Sequence, residues 1–468
     1  MWLPLTKTSN SKQKVILFSD FNDYFYLTQK ITHITFGASF NQPVNQLPAS
    51  LTHLTFGECF NTQLHLPPMP NITHLAFGKL FNQKVNHLPK SLTHLSFGEW
   101  FIQPIDHLPH SIISLHFQGV FRYEFHHLPP KLQFLTIAGG CASTLDKLPS
   151  SLLTLSICDF KGTAKSLPLS LTQLNFEGGL GNEKPSFAED FFIRQQSTPP
   201  LTQYVGFGHY FESFPPSLKT LTLYLDEKTF KICHPSLPPN LCKLQIYTSS
   251  HWHASLNQLP TKLSHLKFFA ESKGFPYTKD QIPPSLAHLE ISSKAENPVS
   301  FFPLSITHLV LRIPIATQNI IDFLPPNLTY LYLKYHFNGS LGNLPSKLTH
   351  LYITSFDQPI ARLPPHITHL DFGACFNQQV DDLPPSVTHL TFGQKFNQRV
   401  DKLPKQVTHL TFGQDFCQPM LALPQSITHL FFKSFPSSLV FPSSLQEVTF
   451  VRGLTCNLIL WQHKIGFV

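Results

Sequence analysis

Apolar positions recur along this chain in one phrase: an apolar residue, two variable positions, Leu, one variable position, then Phe. The phrase starts 21 times between Ile31 and Leu445, one of the starts falling at Leu201. The starts are about 20 residues apart, which marks a repeat architecture. Within Leu51-Thr-His-Leu-Thr-Phe-Gly, alternation places Leu54 and Phe56 on one face and His53 and Thr55 on the other. Leu390, Phe392, Leu410 and Phe412 hold the same positions in later copies. The spacing predicts a short strand with these residues buried and with Leu51 and Phe60 flanking it, also inward. Gly57 then ends the strand as a residue that accepts positive φ at a turn. A Leu-Pro pair, as in Leu383-Pro384-Pro385, predicts an extended or polyproline-like return.

One such unit cannot bury its own apolar face, but stacked units can, each strand pairing in parallel with the next. The expected fold is mainly β: a right-handed solenoid of about 21–22 coils. It has one long curved parallel sheet, open on its concave side, and few helices. The expected organisation is an N-terminal cap with a degenerate repeat over 1–30, repeats over 31–450 and a C-terminal cap over 451–468. Val15 to Phe18 supplies the strand of the degenerate unit. An insertion at about 177–200 stretches one interval to 30 residues. Ser186 to Glu189 resembles a capping box there, which predicts a short outer helix over 190–196, stopped by Pro199-Pro200.

Composition agrees with this reading and narrows the function classes. The 468 residues include 44 Phe, 41 Pro and 21 Gly, close to two Phe, two Pro and one Gly per unit. With 42% hydrophobic and 13% charged residues, the chain is no disordered polyelectrolyte. The net charge of +7 is scattered rather than gathered in a basic stripe, which argues against nucleic acid as partner. No apolar run is long enough to span a membrane. Met1 to Lys14 has no secretory h-region, and the 8 Cys are irregularly spaced. Reduced thiols in an intracellular, cytoplasmic protein are expected, with no metal and no cofactor.

The best copies carry a polar signature as well. They are ITHLDFGACFNQQVDDLPPS over 367–386, VTHLTFGQKFNQRVDKLPKQ over 387–406 and VTHLTFGQDFCQPMLALPQS over 407–426. This phrase resembles the FNIP repeat, a divergent relative of leucine-rich repeats. Its skeleton is also similar to the short leucine-rich repeats of bacterial effectors. The resemblance runs from about residue 12 to 450 and is strongest in the outer thirds. It implies an origin in social amoebae or in giant viruses of amoebae, and a solenoid that binds proteins. Family members often carry an N-terminal F-box that docks a ubiquitin ligase, but the segment before Ile31 is too short for one and reads as strand.

The third position of the unit is His at His33, His53, His74, His94, His265, His288, His308, His350, His369, His389, His409 and His429. Alternation stacks these on the exposed face. Such a row is a partner-binding ladder, a metal track, or one tolerated surface residue copied by duplication. Tyr332, Tyr352, Phe431 and Phe432 add aromatic anchors. Asn41, Asn61, Asn82, Asn338, Asn377 and Asn397 follow Phe, where a buried Asn ladder would satisfy turn backbone. No nucleophile elbow, zinc-helix motif or phosphate loop is present, so no catalytic residue is assigned. The glycine-rich patch at 178–181 lacks the following Lys-Ser/Thr of a nucleotide loop. The expected function is a non-catalytic scaffold for protein partners, host proteins if the chain is viral. Two alternatives stand beside it. One is the substrate-recognition subunit of a ubiquitin ligase. The other is a metal-binding or enzymatic protein using the His ladder or the inserted middle.

Overall fold

The computed structural model describes residues 13–16, 31–44, 47–64, 66, 69–141, 144–158, 166–177, 214–225, 237–248, 258–270, 281–293, 302–313, 320–334, 337–360, 362–434, 440–450 and 464–467. The chain divides into two units, Met1–Pro260 and Thr261–Val468. The first carries β1 (Gln13–Ile16), β2 (Ile31–Thr35), β3 (His53–Thr55), β4 (His74–Ala76), β5 (His94–Phe97), β6 (Ser114–Phe117), β7 (Phe134–Ile137), β8 (Thr154–Cys158), β9 (Gln173–Glu177), β10 (Thr220–Leu225) and β11 (Lys243–Thr248). The second carries β12 (His265–Ala270), β13 (His288–Ser293), β14 (His308–Arg312), β15 (Tyr330–Lys334), β16 (His350–Ile353), β17 (His369–Asp371), β18 (His389–Thr391), β19 (His409–Phe412), β20 (His429–Phe432), β21 (Glu447–Phe450) and β22 (Lys464–Phe467). Among the described residues helix is limited to 3₁₀ turns, one at Ile320–Phe323.

Within each unit every strand pairs in parallel with the next in sequence, one strand per coil. The register puts like on like. His33 faces His53, which faces His74, and Ile34, Leu54 and Leu75 follow the same line. The inward residues form continuous columns. Leu54, Phe56, Leu390, Phe392, Leu410 and Phe412 are at most 2% exposed, and Leu51 and Phe60 are fully buried. Each Phe that ends a strand stacks on the Phe four residues later, Phe56 on Phe60 with ring centroids 3.8 Å apart and Phe392 on Phe396 likewise. It also lies 5.6 Å from its copy in the next coil, as in Phe56–Phe77 and Phe392–Phe412. Burying one such ring contributes about 1.5–3 kcal/mol.

The glycine that follows Phe has a different cause from the one expected. Among the described glycines positive φ occurs only at Gly140 and Gly373. At Gly57, Gly78, Gly393 and Gly413 the backbone passes so close to the coil below that a methyl group would strike a neighbouring carbonyl. The residue is glycine because there is no room for Cβ. Where no glycine follows the core residue the strand runs on: β11 continues through Tyr247 to Thr248, whereas β3 stops at Thr55.

The Leu-Pro segment is extended only at its start and then turns. The N–H of the next strand's leading apolar residue donates to the proline carbonyl, Leu51 to Pro48 at 3.0 Å and Val407 to Pro404 at 3.1 Å. The serine before that residue donates from Oγ to the carbonyl one coil earlier, Ser50 to Ile31 at 2.7 Å and Ser426 to Val407 at 2.6 Å. Proline supplies the fixed φ of the turn and serine ties its exit to the coil below.

One sequence expectation is corrected here. The repeat start at Leu201 is not a rung, because β9 pairs directly with β10, Gln173 opposite Thr220. Tyr204 and Gly206 stand where other units have Leu and Phe, so that segment lacks the side chains that would hold it in the column. At the C-terminus Lys464–Phe467 continues the sheet beside β21. The helix expected over 190–196 lies outside the described residues.

Phe392→Ala should cost about 3–5 kcal/mol, as large core truncations do. Hydrogen exchange should show the loosening confined to coils adjacent to β18, because each coil contacts only its neighbours. Uniform loosening across both units would contradict a nearest-neighbour solenoid.

The histidine face as candidate functional site

The same alternation that buries Leu and Phe turns the third residue of each unit to the open face of the sheet. There the imidazoles stack. In the first unit His33–His53, His53–His74 and His74–His94 have ring centroids 4.1, 4.0 and 4.1 Å apart, within 12° of parallel. In the second unit His265, His288 and His308 stack at 4.0 and 4.1 Å. Tyr330 then takes one place in the row, 5.7 Å from His308 and 5.8 Å from His350. His350, His369, His389, His409 and His429 continue at 4.1–4.3 Å. Most of these rings are half-buried, because each is covered on both flat sides by its neighbours.

Each ring is also held from behind. In eleven of the twelve positions the preceding residue is Thr or Ser, with its Oγ 2.8–2.9 Å from Nδ1 of the His that follows. The threonine hydroxyl further donates to the carbonyl one coil earlier, as in Thr52 to Thr32 at 2.9 Å and Thr349 to Thr329 at 2.9 Å. The twelfth position is Ala287-His288, and there Nδ1 of His288 is buried with no hydrogen-bond partner. The Thr-His pairing was missed in the sequence reading, although the recurring Thr-His-Leu phrase carries it.

Burial lowers the His pKa values first, and charge repulsion between neighbouring imidazoles adds to it. His74, His288 and His369 fall from 6.5 to about 4. His308, His350, His389 and His409 shift in the same direction. These seven imidazoles are therefore neutral near pH 7.

The other expected residues divide. Tyr332 and Tyr352 lie half-buried on the open face, in register with each other. Phe431 shares that face, but Phe432 is fully buried in the Phe column beside Phe412 and is no anchor. The Asn residues do link coils, each Oδ1 accepting the backbone N–H one coil later. Asn41 takes that of Asn61 at 2.8 Å, and Asn377 that of Asn397 at 2.9 Å. They are exposed or half-buried rather than buried, since they sit after the Phe, outside the core. Sequence reasoning also missed buried Glu290, held by Lys267 at 2.8 Å and Arg312 at 3.2 Å from the two flanking strands. Among the described residues no three His, Cys, Asp or Glu side chains converge as metal ligands. The six described cysteines form no disulfide, and among the described residues no helix is long and apolar enough to cross a membrane.

Two outcomes follow. Well above pH 6.5 the His residues with lowered pKa values are neutral folded and unfolded, and cost nothing. Between 6.5 and about 4 the unfolded chain takes up protons that the folded row refuses. Melting temperature measured at low salt should therefore fall as pH drops from 7.5 through 5.5 to 4.5. A flat profile would show that the rings do not interact. Ala287→Thr should restore the missing partner of His288 and stabilise the chain by about 1 kcal/mol in chemical denaturation.

Comparison with known proteins fits this geometry. The FNIP Repeat family model matches residues 21–59, 60–100, 84–119, 337–375, 356–395, 376–415 and 396–435. These matches cover the two regions where Thr-His-Leu and Phe-Asn recur most regularly. Among solved structures, CroV588, a circular leucine-rich-repeat protein of a giant virus, is 28% identical over 97% of this chain and 85% of its own, with a TM-score of 0.52. YopM from Yersinia enterocolitica WA-314 is 17% identical over 93% of this chain and 91% of its own, with a TM-score of 0.41. No curated protein matches the chain. The repeat phrase, the parallel one-strand coils and the family matches together show FNIP repeats over residues 21–119 and 337–435 of a leucine-rich-repeat-like solenoid.

Proposed function

We propose that this chain is a non-catalytic scaffold that holds a protein partner on the His-bearing face of its sheet. The observation that carries the reading is the row itself. Stacked imidazoles, all but His288 oriented by a Thr or Ser hydroxyl, are open on one edge, and His369, His389 and His409 are held neutral near pH 7. Such a surface is flat, rigid and polar, and costs little to desolvate compared with a charged one. Its rings have already lost their rotamer freedom, so a partner need not order them. Leucine-rich-repeat-like solenoids are typically non-catalytic, which supports the same reading.

The likeness to a giant-virus protein supports a host-cell protein as partner, and the setting proposed with it is the cytoplasm, where cysteines stay reduced. The metal alternative is less well served. Neighbouring rings lie side by side, so their lone pairs run parallel, whereas zinc asks for three or four ligands converging on one point.

The full-length chain and a His369→Glu/His389→Glu/His409→Glu variant should be compared in partner capture from amoeba extract, with mass spectrometry of what is held. The wild type should retain a partner at near-stoichiometric yield and the variant should lose it, with the Phe core unchanged by hydrogen exchange. Equal capture by both would place binding elsewhere. Stoichiometric zinc or nickel in the purified protein, with no partner, would favour the metal reading.

A further inference from the structure

The repeat phrase on the open face changes over three successive coils of the second unit. Thr-His-Leu-Thr becomes Thr-Tyr-Leu-Tyr at 329–332, Thr-His-Leu-Tyr at 349–352 and Thr-His-Leu-Asp at 368–371. Register gathers these changes. Tyr332 lies opposite Tyr352, and Tyr352 opposite Asp371, on three successive strands. Tyr330 stands two residues before Tyr332 and therefore on the same face. The Tyr332 and Tyr352 rings meet nearly edge to face, with centroids 6.1 Å apart at 68°, and Tyr330 is 5.4 Å from Tyr352 at 37°. Tyr332 and Tyr352, so turned, form walls beside the His row in which Tyr330 stands. Together with Asp371 and Gly373 they line a cavity of about 220 Å³.

The floor of this cavity is anchored by an unusual backbone. Gly373 has φ of +64°, and a side chain there would strike Ile353 and Thr354 of the coil below. Its N–H donates to Asp371 Oδ1 at 2.8 Å, which fixes the carboxylate at the cavity edge. Among the described residues Asp371 has no ion-pair partner, and Oδ2 has no hydrogen bond.

We propose that this cavity is an aromatic cage for an organic cation, of the kind carried by a quaternary ammonium or a methylated lysine side chain. Tyrosine faces attract such a cation through the ring quadrupole, and the carboxylate adds charge. The size supports a side-chain headgroup, since the cavity is smaller than the sites that hold drug-sized ligands. Burial also raises the Asp371 pKa, against the pull of the Gly373 N–H and the Lys433 charge. A carboxylate left in that condition gains from a cation beside it. An anionic ligand would meet this carboxylate directly. The cage refines the scaffold reading and rests on it only in using the same sheet face.

The test is calorimetric titration of the full chain with choline, with a short peptide bearing trimethyllysine, with the unmodified lysine peptide, and with 3,3-dimethylbutanol, the uncharged isostere of choline. Choline or the trimethyllysine peptide should bind at least about tenfold more tightly than the neutral isostere. Preference between these two cations tells a free ligand from a partner's side chain. Tyr332→Leu/Tyr352→Leu should abolish binding. Asp371→Asn keeps the acceptor for Gly373 and preserves the fold, and should weaken binding about threefold to fivefold. Equal binding of cation and isostere, no binding of either, or an unchanged affinity in Asp371→Asn would overturn the cage. None of these results depends on whether the His row captures a protein, so the two proposals fail separately.

Discussion

Parallel strands sit about 4.8 Å apart, and in this protein that distance governs which residue each position accepts. Every side chain lies directly above its own copy one coil earlier. A position therefore tolerates only what stacks on itself. Phe does so in the core, and His does so on the open face. Thr works behind His because its hydroxyl lies within reach of both the ring and the coil below. Glycine is needed where backbones come too close for any Cβ. An exposed charge fits poorly in such a column, since its copy would repel it. The repeats solve this with neutral residues, and Glu290 solves it with cations on both sides.

Much of this was legible in the sequence, for a physical reason. The two-residue alternation of Leu54 and Phe56 reports which face is buried, and its return every coil reports stacking. Those two facts define the strand, the parallel pairing and the His row. What escaped depends on three-dimensional closeness. The reason for Gly57 lies in the coil below it rather than in its own φ. The partner of each His is its sequence neighbour, but only the strand geometry turns the hydroxyl toward Nδ1. The burial of Phe432 was legible in the repeat frame, where it occupies the Phe position after Leu430. The false rung at Leu201 shows the converse: spacing alone suggested it, while the missing Leu and Phe argued against it.

The middle of the chain departs from the phrase most. Strands lengthen there as glycine disappears, and the row of small polar residues beside the His column gives way to Lys, Glu and Tyr. Regular coils build a uniform face, and departures from regularity build places on it. Tyr330, Tyr332, Tyr352 and Asp371 are such a place, at the boundary where the regular C-terminal coils begin.

The central claim is that within each unit the successive His residues stack into charge-avoiding rows on the open sheet face. The most direct measurement is NMR titration of isotope-labelled histidine rings in the full chain, with stacked residues assigned by single substitutions. The account predicts that His74, His288 and His369 hold their neutral form down to about pH 4, with adjacent rings shifting as each neighbour titrates. If these rings instead titrate independently near 6.5, as they would on an unstacked surface, the row does not exist and the face has no common chemistry.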